Sequence, residues 1–232
     1  MEIIPAIIAK DFAELEAKIK LVEPHVKTVQ LDVMDGIFVS NVTWPYARNC
    51  RERFSVELSR ERFSVDLEVH LMVDNSHQVL NEWLNSGVKR IILHWEAIKE
   101  IFHPTGDRPK GDNLIKQTHN SGKEFGVALN LETPISVLDN FISYVDLVLL
   151  MSVPPGQAGQ KFDERVMAKI IALRQKYPDV KIEVDGGVNA QNAGDIIKAG
   201  ADFLVMGSAI FESEDIGGTI ERLQNMLATE YR

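Results

Sequence analysis

The chain has 232 residues, 45% of them hydrophobic and 25% charged, with a formal net charge of −9 and one cysteine, Cys50. That length supports one large core and is short for two, so residues 1–232 are read as a single domain; the acidic balance argues against a nucleic-acid or anionic-membrane binder, which would need a clustered basic face. A lone cysteine closes no intrachain disulfide, Lys10, Asp11 and Glu14 cut short the apolar stretch Ile3–Ile8, and no apolar run reaches the roughly 20 residues of a membrane span, so a cytoplasmic protein acting on a small molecule is expected.

Ile3–Ile8 reads as a strand and Asp11–Glu23 as a helix, because Phe12, Leu15, Ile19 and Val22 recur at helical spacing. A second strand is expected at Thr28–Asp32. Beyond it, Arg51–Ser59 (RERFSVELS) is followed at once by Arg60–Glu68 (RERFSVDLE), a near-perfect tandem copy. It reads as a duplicated helix-loop segment on the outer layer that lengthens one crossover. Strands follow at Leu67–Val73 and Arg90–His94; Lys99–Asn113, with Pro104, Gly106, Pro109 and Gly111, reads as an exposed loop. Strands at Phe125–Asn130 and Leu147–Ser152, a helix at Glu164–Tyr177, and strands at Lys181–Asp185 and Phe203–Met206 complete the series. Gly87, Gly122 and Gly200 precede strands by a few residues, where glycine closes a helix.

Short strands apolar on both faces and separated by helices imply a parallel sheet. Eight such units in a chain of this size favour a closed (β/α)₈ TIM barrel over the alternative, an open α/β sheet. No G-x-G-x-x-G follows a strand, which counts against a dinucleotide site.

In a closed α/β barrel the chemistry sits at the carboxyl ends of the strands. Asp32 ends the second expected strand, His70 lies in the third and Asp185 ends the seventh. Together they form a donor set compatible with a divalent cation, and the two aspartates could flank a bound substrate. Each also has a bland alternative: a turn cap for Asp32, a satisfied buried imidazole for His70, an orienting group for the next turn at Asp185. Independently, Gly156 and Gly159 follow the sixth strand, Gly186 and Gly187 the seventh, and Gly207 with Ser208 the eighth. Backbone N–H groups bare of side chains, and a short helix starting near Ser208, suit a phosphate.

At these residues the sequence resembles the ribulose-phosphate 3-epimerase family. The matching segments are Pro5–Phe12, Leu31–Asn41 (LDVMDGIFVSN), Glu68–Met72 (EVHLM), Met151–Phe162, Val184–Val188 (VDGGV) and Met206–Phe211. The resemblance implies a ribulose-phosphate-binding barrel that interconverts D-ribulose 5-phosphate and D-xylulose 5-phosphate in the pentose phosphate pathway. It implies Asp32 and Asp185 as the acid/base pair, a divalent metal (Zn, Fe, Mn or Co) on Asp32, His70, Asp185 and the position of Gln30, and Met34, Met72 and Met151 over the substrate. A homo-oligomer is also implied. This chain departs from the family where Gln30 replaces the first histidine ligand, where Ala6 and Ala9 replace serines, and in the loop Pro154–Gln160, which lacks one glycine and an aromatic lid residue. Three alternatives therefore stand beside the pentulose epimerase: a catalytically impaired sugar-phosphate binder, an epimerase for a hexulose 6-phosphate, and a metal-dependent aldol or decarboxylation enzyme. The last commonly needs a lysine near the reacting carbon, and Lys181 starts its strand at the wrong end.

Overall fold

The computed structural model describes residues 1–47, 57–59, 61–102 and 110–230. Strands β1 (Glu2–Ile7), β2 (Thr28–Met34), β3 (Asp66–Met72), β4 (Arg90–His94), β5 (Glu124–Leu129), β6 (Leu147–Met151), β7 (Lys181–Asp185) and β8 (Phe203–Met206) close into a barrel in chain order. Every neighbouring pair is parallel, and β8 returns to β1 through Pro5 opposite Met206. Expectation and structure agree on the TIM barrel; β2 runs two residues past its expected end at Asp32.

Around the barrel lie α1 (Phe12–Val22), α2 (Leu80–Leu84), α3 (Trp95–Ile98), α4 (Lys110–Asn120), α5 (Arg165–Lys176), α6 (Ala193–Ala199), α7 (Ser208–Phe211) and α8 (Ile216–Glu230). The start of α1 is fixed by Asp11, whose carboxylate accepts the Glu14 N–H at 2.9 Å. Its apolar stripe, Leu15, Ile19 and Val22, is buried against the strands. Gly122 and Gly200 have positive φ, as expected of glycines closing helices, whereas Gly87 does not.

Two apolar layers result. The larger lies between strands and helices. The smaller fills the barrel, where Ile4, Ala6, Ile92, Ala128, Leu147, Leu149, Met151 and Val205 meet. Gly126 belongs to this interior packing: a Cβ there would lie 2.9 Å from the Ile92 side chain.

The expected loop Lys99–Asn113 is corrected at both ends. Lys99–Ile101 is a short 3₁₀ turn and Lys110 already begins α4, while residues 103–109 lie outside the described residues. Gly111 is present for packing rather than for a turn, since a Cβ there would meet the Phe102 ring at 2.4 Å. Of the tandem copies, residues 51–56 and 60 lie outside the described residues. The described part of the second copy packs on α1, with Arg62 bonded to Glu16 at 3.1 Å and over the Phe12 ring, before Asp66 opens β3.

Candidate active site

Side chains two apart on a strand share a face. Gln30, Asp32 and Met34 on β2 therefore point into the barrel together, in register with Glu68, His70 and Met72 on β3. Asp185 ends β7 opposite Met151 of β6. Backbone contacts hold the two aspartates in place: the Asp32 carbonyl accepts Thr43 Oγ1 at 3.0 Å, and the Asp185 carbonyl accepts the Ser152 N–H at 2.8 Å.

These strands bring Asp32, His70 and Asp185 together, with ligand atoms that all lie within 4.8 Å of one another. His70 Nδ1 stands 3.3 Å from Asp32 Oδ1 and 3.6 Å from Asp185 Oδ2. Gln30 joins them. Its Nε2 donates to Asp32 Oδ1 at 2.9 Å and to Asp185 Oδ2 at 3.0 Å, while its buried Oε1 has no hydrogen-bond partner among the described residues.

The electrostatics follow from this crowding. Burial pushes the Asp32 carboxyl above its ordinary range, and the Asp185 charge adds to that against the pull of His70 and Gln30. Burial alone would lower His70, but the carboxylates of Asp185 and Asp32 beside it outweigh that and hold the imidazole up at about 9. Two carboxylates and an imidazole suit a divalent cation. Gln30 presents its amide nitrogen, not its oxygen, to these ligand atoms.

A second histidine supports the first. His94, fully buried at the end of β4, places Nε2 2.8 Å from His70 Nε2, and its Nδ1 faces Glu96 Oε2 of α3 at 3.3 Å. Glu96 is fixed in turn by the Asn130 N–H at 3.0 Å and by the Thr133 hydroxyl. Burial lowers His94 to about 4; burial would raise Glu96, but the bonds from His94 and Thr133 bring it to about 2. A neutral His94 that donates from Nδ1 to Glu96 accepts at Nε2. His70 must then donate from Nε2, which leaves its Nδ1 facing the aspartates. Sequence reasoning passed over His94 and Glu96, although His94 is an imidazole at a strand end, the very signal used for Asp32 and Asp185.

Above this cluster opens a cavity of about 330 Å³. Asp32 and Asp185 reach it, and the other expected substrate residues, Met34, Met72, Met151, Gly156, Gly159, Gly186, Gly187, Gly207 and Ser208, all line it. Gln30 and His70 sit beneath, fully buried. The glycines differ in what they do. Gly186 (φ 109) and Gly187 (φ 61) could not carry a Cβ, which would strike Val153 at 2.5 Å and the Phe162 N at 2.4 Å; at Gly207 the nearest atom would be the Ala6 carbonyl oxygen at 3.6 Å. The segment after β2 packs on the cavity-lining loop after β6: Asn41 donates to the Gly156 carbonyl, and a Cβ on Gly156 would meet Val39 at 2.8 Å. Lys18 of α1, not foreseen, also lines the cavity; its Nζ bonds the Ile8 carbonyl at 2.8 Å and Glu14 at 2.8 Å. Lys181 stands at the opposite end of β7.

Comparison with known proteins bears on this geometry. Residues 2–211 match the model of the ribulose-phosphate 3-epimerase family. The chain is 36% identical over 221 residues to a ribulose-phosphate 3-epimerase of Bacillus subtilis, covering 93% of this chain and 94% of the relative. It is 32% identical over 232 residues to one of Escherichia coli, covering 97% and 96%. Among solved structures it is similar to KGPDC from Streptococcus mutans in complex with D-R5P (TM-score 0.70, 12% identity, 100% and 99% covered) and to 3-hexulose-6-phosphate synthase from Salmonella typhimurium (TM-score 0.67, 15% identity, 100% of both). At those identities the likeness shows the fold alone.

Proposed function

The chain belongs to the ribulose-phosphate 3-epimerase family, and from that premise we propose that it interconverts D-ribulose 5-phosphate and D-xylulose 5-phosphate. The observation that carries the reading is the placement of Asp32 and Asp185, on β2 and β7, as two carboxylates lining one cavity around a shared imidazole. One aspartate takes the proton from carbon 3. The electron pair of the broken C–H bond moves into the adjacent carbonyl, giving an enediolate, and the other aspartate returns a proton to the opposite face. Asp32, His70 and Asp185 would hold a divalent cation, which when bound supplies Lewis-acid charge to the substrate oxygens. His94 and Glu96 keep His70 in one orientation, while Met34, Met72 and Met151 cover the apolar side of the sugar and hold water away. The phosphate lies on the backbone amides near Gly186, Gly187, Gly207 and Ser208; a side chain is impossible at Gly186 and Gly187 and absent at Gly207.

The test is incubation with D-ribulose 5-phosphate in deuterium oxide, with and without Zn²⁺, Mn²⁺, Fe²⁺ or Co²⁺. Xylulose 5-phosphate should form with deuterium at carbon 3. A parallel reaction with a hexulose 6-phosphate decides the chain length. Absence of incorporation with either sugar under every metal, while both bind, would instead establish the non-catalytic sugar-phosphate binder that the Gln30 and Ala6 departures favour.

A further inference from the structure

The centre of the acidic site is spanned by a neutral amide. Gln30 Nε2 lies 2.9 Å from Asp32 Oδ1, 3.0 Å from Asp185 Oδ2 and 3.4 Å from His70 Nδ1. These are the three residues whose ligand atoms lie close enough together to share a cation. Metal–ligand bonds to oxygen and nitrogen are about 2.0–2.2 Å, so the nitrogen, with its two hydrogens filling the remaining gap, stands where the ion would stand. A primary amide has two N–H donors and one acceptor oxygen; here the two aspartates accept both donors, and Oε1 is buried and unpartnered. With the amide turned over, Oε1 would face two carboxylate oxygens at hydrogen-bond distance, an arrangement that repels except where a positive group, the His70 imidazolium or a metal ion, lies between them.

We propose that Gln30 is an internal bridge that substitutes for the cation: its amide holds the two carboxylates together in the metal-free protein, and a metal ion binds only by turning that amide so that Oε1 becomes a ligand. The metal-free site is therefore assembled rather than sprung apart, and cation binding has to break two buried hydrogen bonds. Affinity for divalent ions is correspondingly weak, and Zn²⁺, which favours imidazole over an amide oxygen, loses most. The inference rests on the family reading for the identity of the ligand set, but its test does not depend on turnover.

Chelator-stripped wild type, Gln30→His and Gln30→Glu are compared by Zn²⁺ and Mn²⁺ calorimetry and by thermal unfolding with and without Mn²⁺. Gln30→His should bind Zn²⁺ on the order of 10-fold or more tightly than wild type. Gln30→Glu, isosteric but unable to bridge, should lower the metal-free Tm and regain it on adding Mn²⁺, while wild type shifts little; a Gln30→Glu protein that folds only with Mn²⁺ supports the bridge equally. Equal Zn²⁺ affinity in wild type and Gln30→His, or a metal-free Gln30→Glu as stable as wild type, overturns it. An inactive enzyme that shows the expected affinities would refute the epimerase reading and leave the bridge standing.

Discussion

The barrel carries buried charge at both ends, on the same strands two residues apart. At the mouth stand His70 and Asp185; one step down β3 and β7 stand Glu68 and Glu183, both fully buried. The floor has its own cation. Arg90 of β4 bonds Glu68 Oε2 at 2.5 Å, approaches Glu183 at 3.7 Å and grips Glu124 of β5 at 2.6 Å. Burial pushes Glu68 up to about 7 and Glu183 well above its usual range, against the pull of Arg90. Among the described residues neither Glu183 oxygen has a hydrogen-bond partner. At the mouth the positive group is the His70 imidazole, held up at about 9, beside a bridging amide, and the site opens on a cavity. Buried carboxylates alone do not mark an active site: what separates the two ends is a guanidinium that stays charged against a titratable imidazole and a replaceable amide, and carboxylates packed on a side chain against carboxylates that line a cavity.

Three experiments would break or sharpen that contrast. Asp185→Asn or Asp32→Asn, each removing one proton carrier, should lower the rate of carbon-3 exchange by about 10²–10⁴-fold with little change in the urea midpoint. A variant that loses stability but keeps its exchange rate would place catalysis elsewhere. At the floor the outcome should reverse. Arg90→Met leaves Glu68 and Glu183 without a counter-charge and should cost about 3–5 kcal/mol at pH 8, with kcat per folded molecule unchanged. Loss of kcat in protein shown to be folded would mean that the two ends are coupled.

The smallest effect concerns pH. Glu68 titrates near 4.5 when unfolded and at about 7 when folded. The folded state thus binds more protons across that window. The stability it contributes is complete below pH 4.5 and is lost as pH rises through about 7, the reverse of the ordinary carboxylate. Urea midpoints at pH 5 and pH 8 should show this decline, and Glu68→Gln should flatten it. An unchanged slope in that variant would mean that Glu183, or His70 at the mouth, carries the dependence.

The barrel was legible because strand runs apolar on both faces alternate with helices, and the mouth because Asp32 and Asp185 interrupt such runs at their ends. His94 was equally visible at the end of Arg90–His94 but passed over, since its meaning depends on which strand lies beside it. The floor escaped notice for a related reason. Arg90 and Glu124 look like solvated charges at strand starts, Glu68 and Glu183 lie inside strand runs, and only the closed barrel turns the four toward one another. In the sequence Gln30 is legible only as a replacement for a histidine ligand. That its amide reaches both aspartates depends on the width of the barrel, which strand spacing in the sequence does not encode.

The tie between Asn41 and Gly156 has a consequence for remodelling the enzyme. Val39 fills the space that a side chain at position 156 would need, so the segment after β2 and the loop after β6 are cut to each other's shape. A loop transplanted from a relative would have to keep a bare backbone at that point or bring its own partner segment with it. The two stretches, more than a hundred residues apart along the chain, are a single exchangeable part.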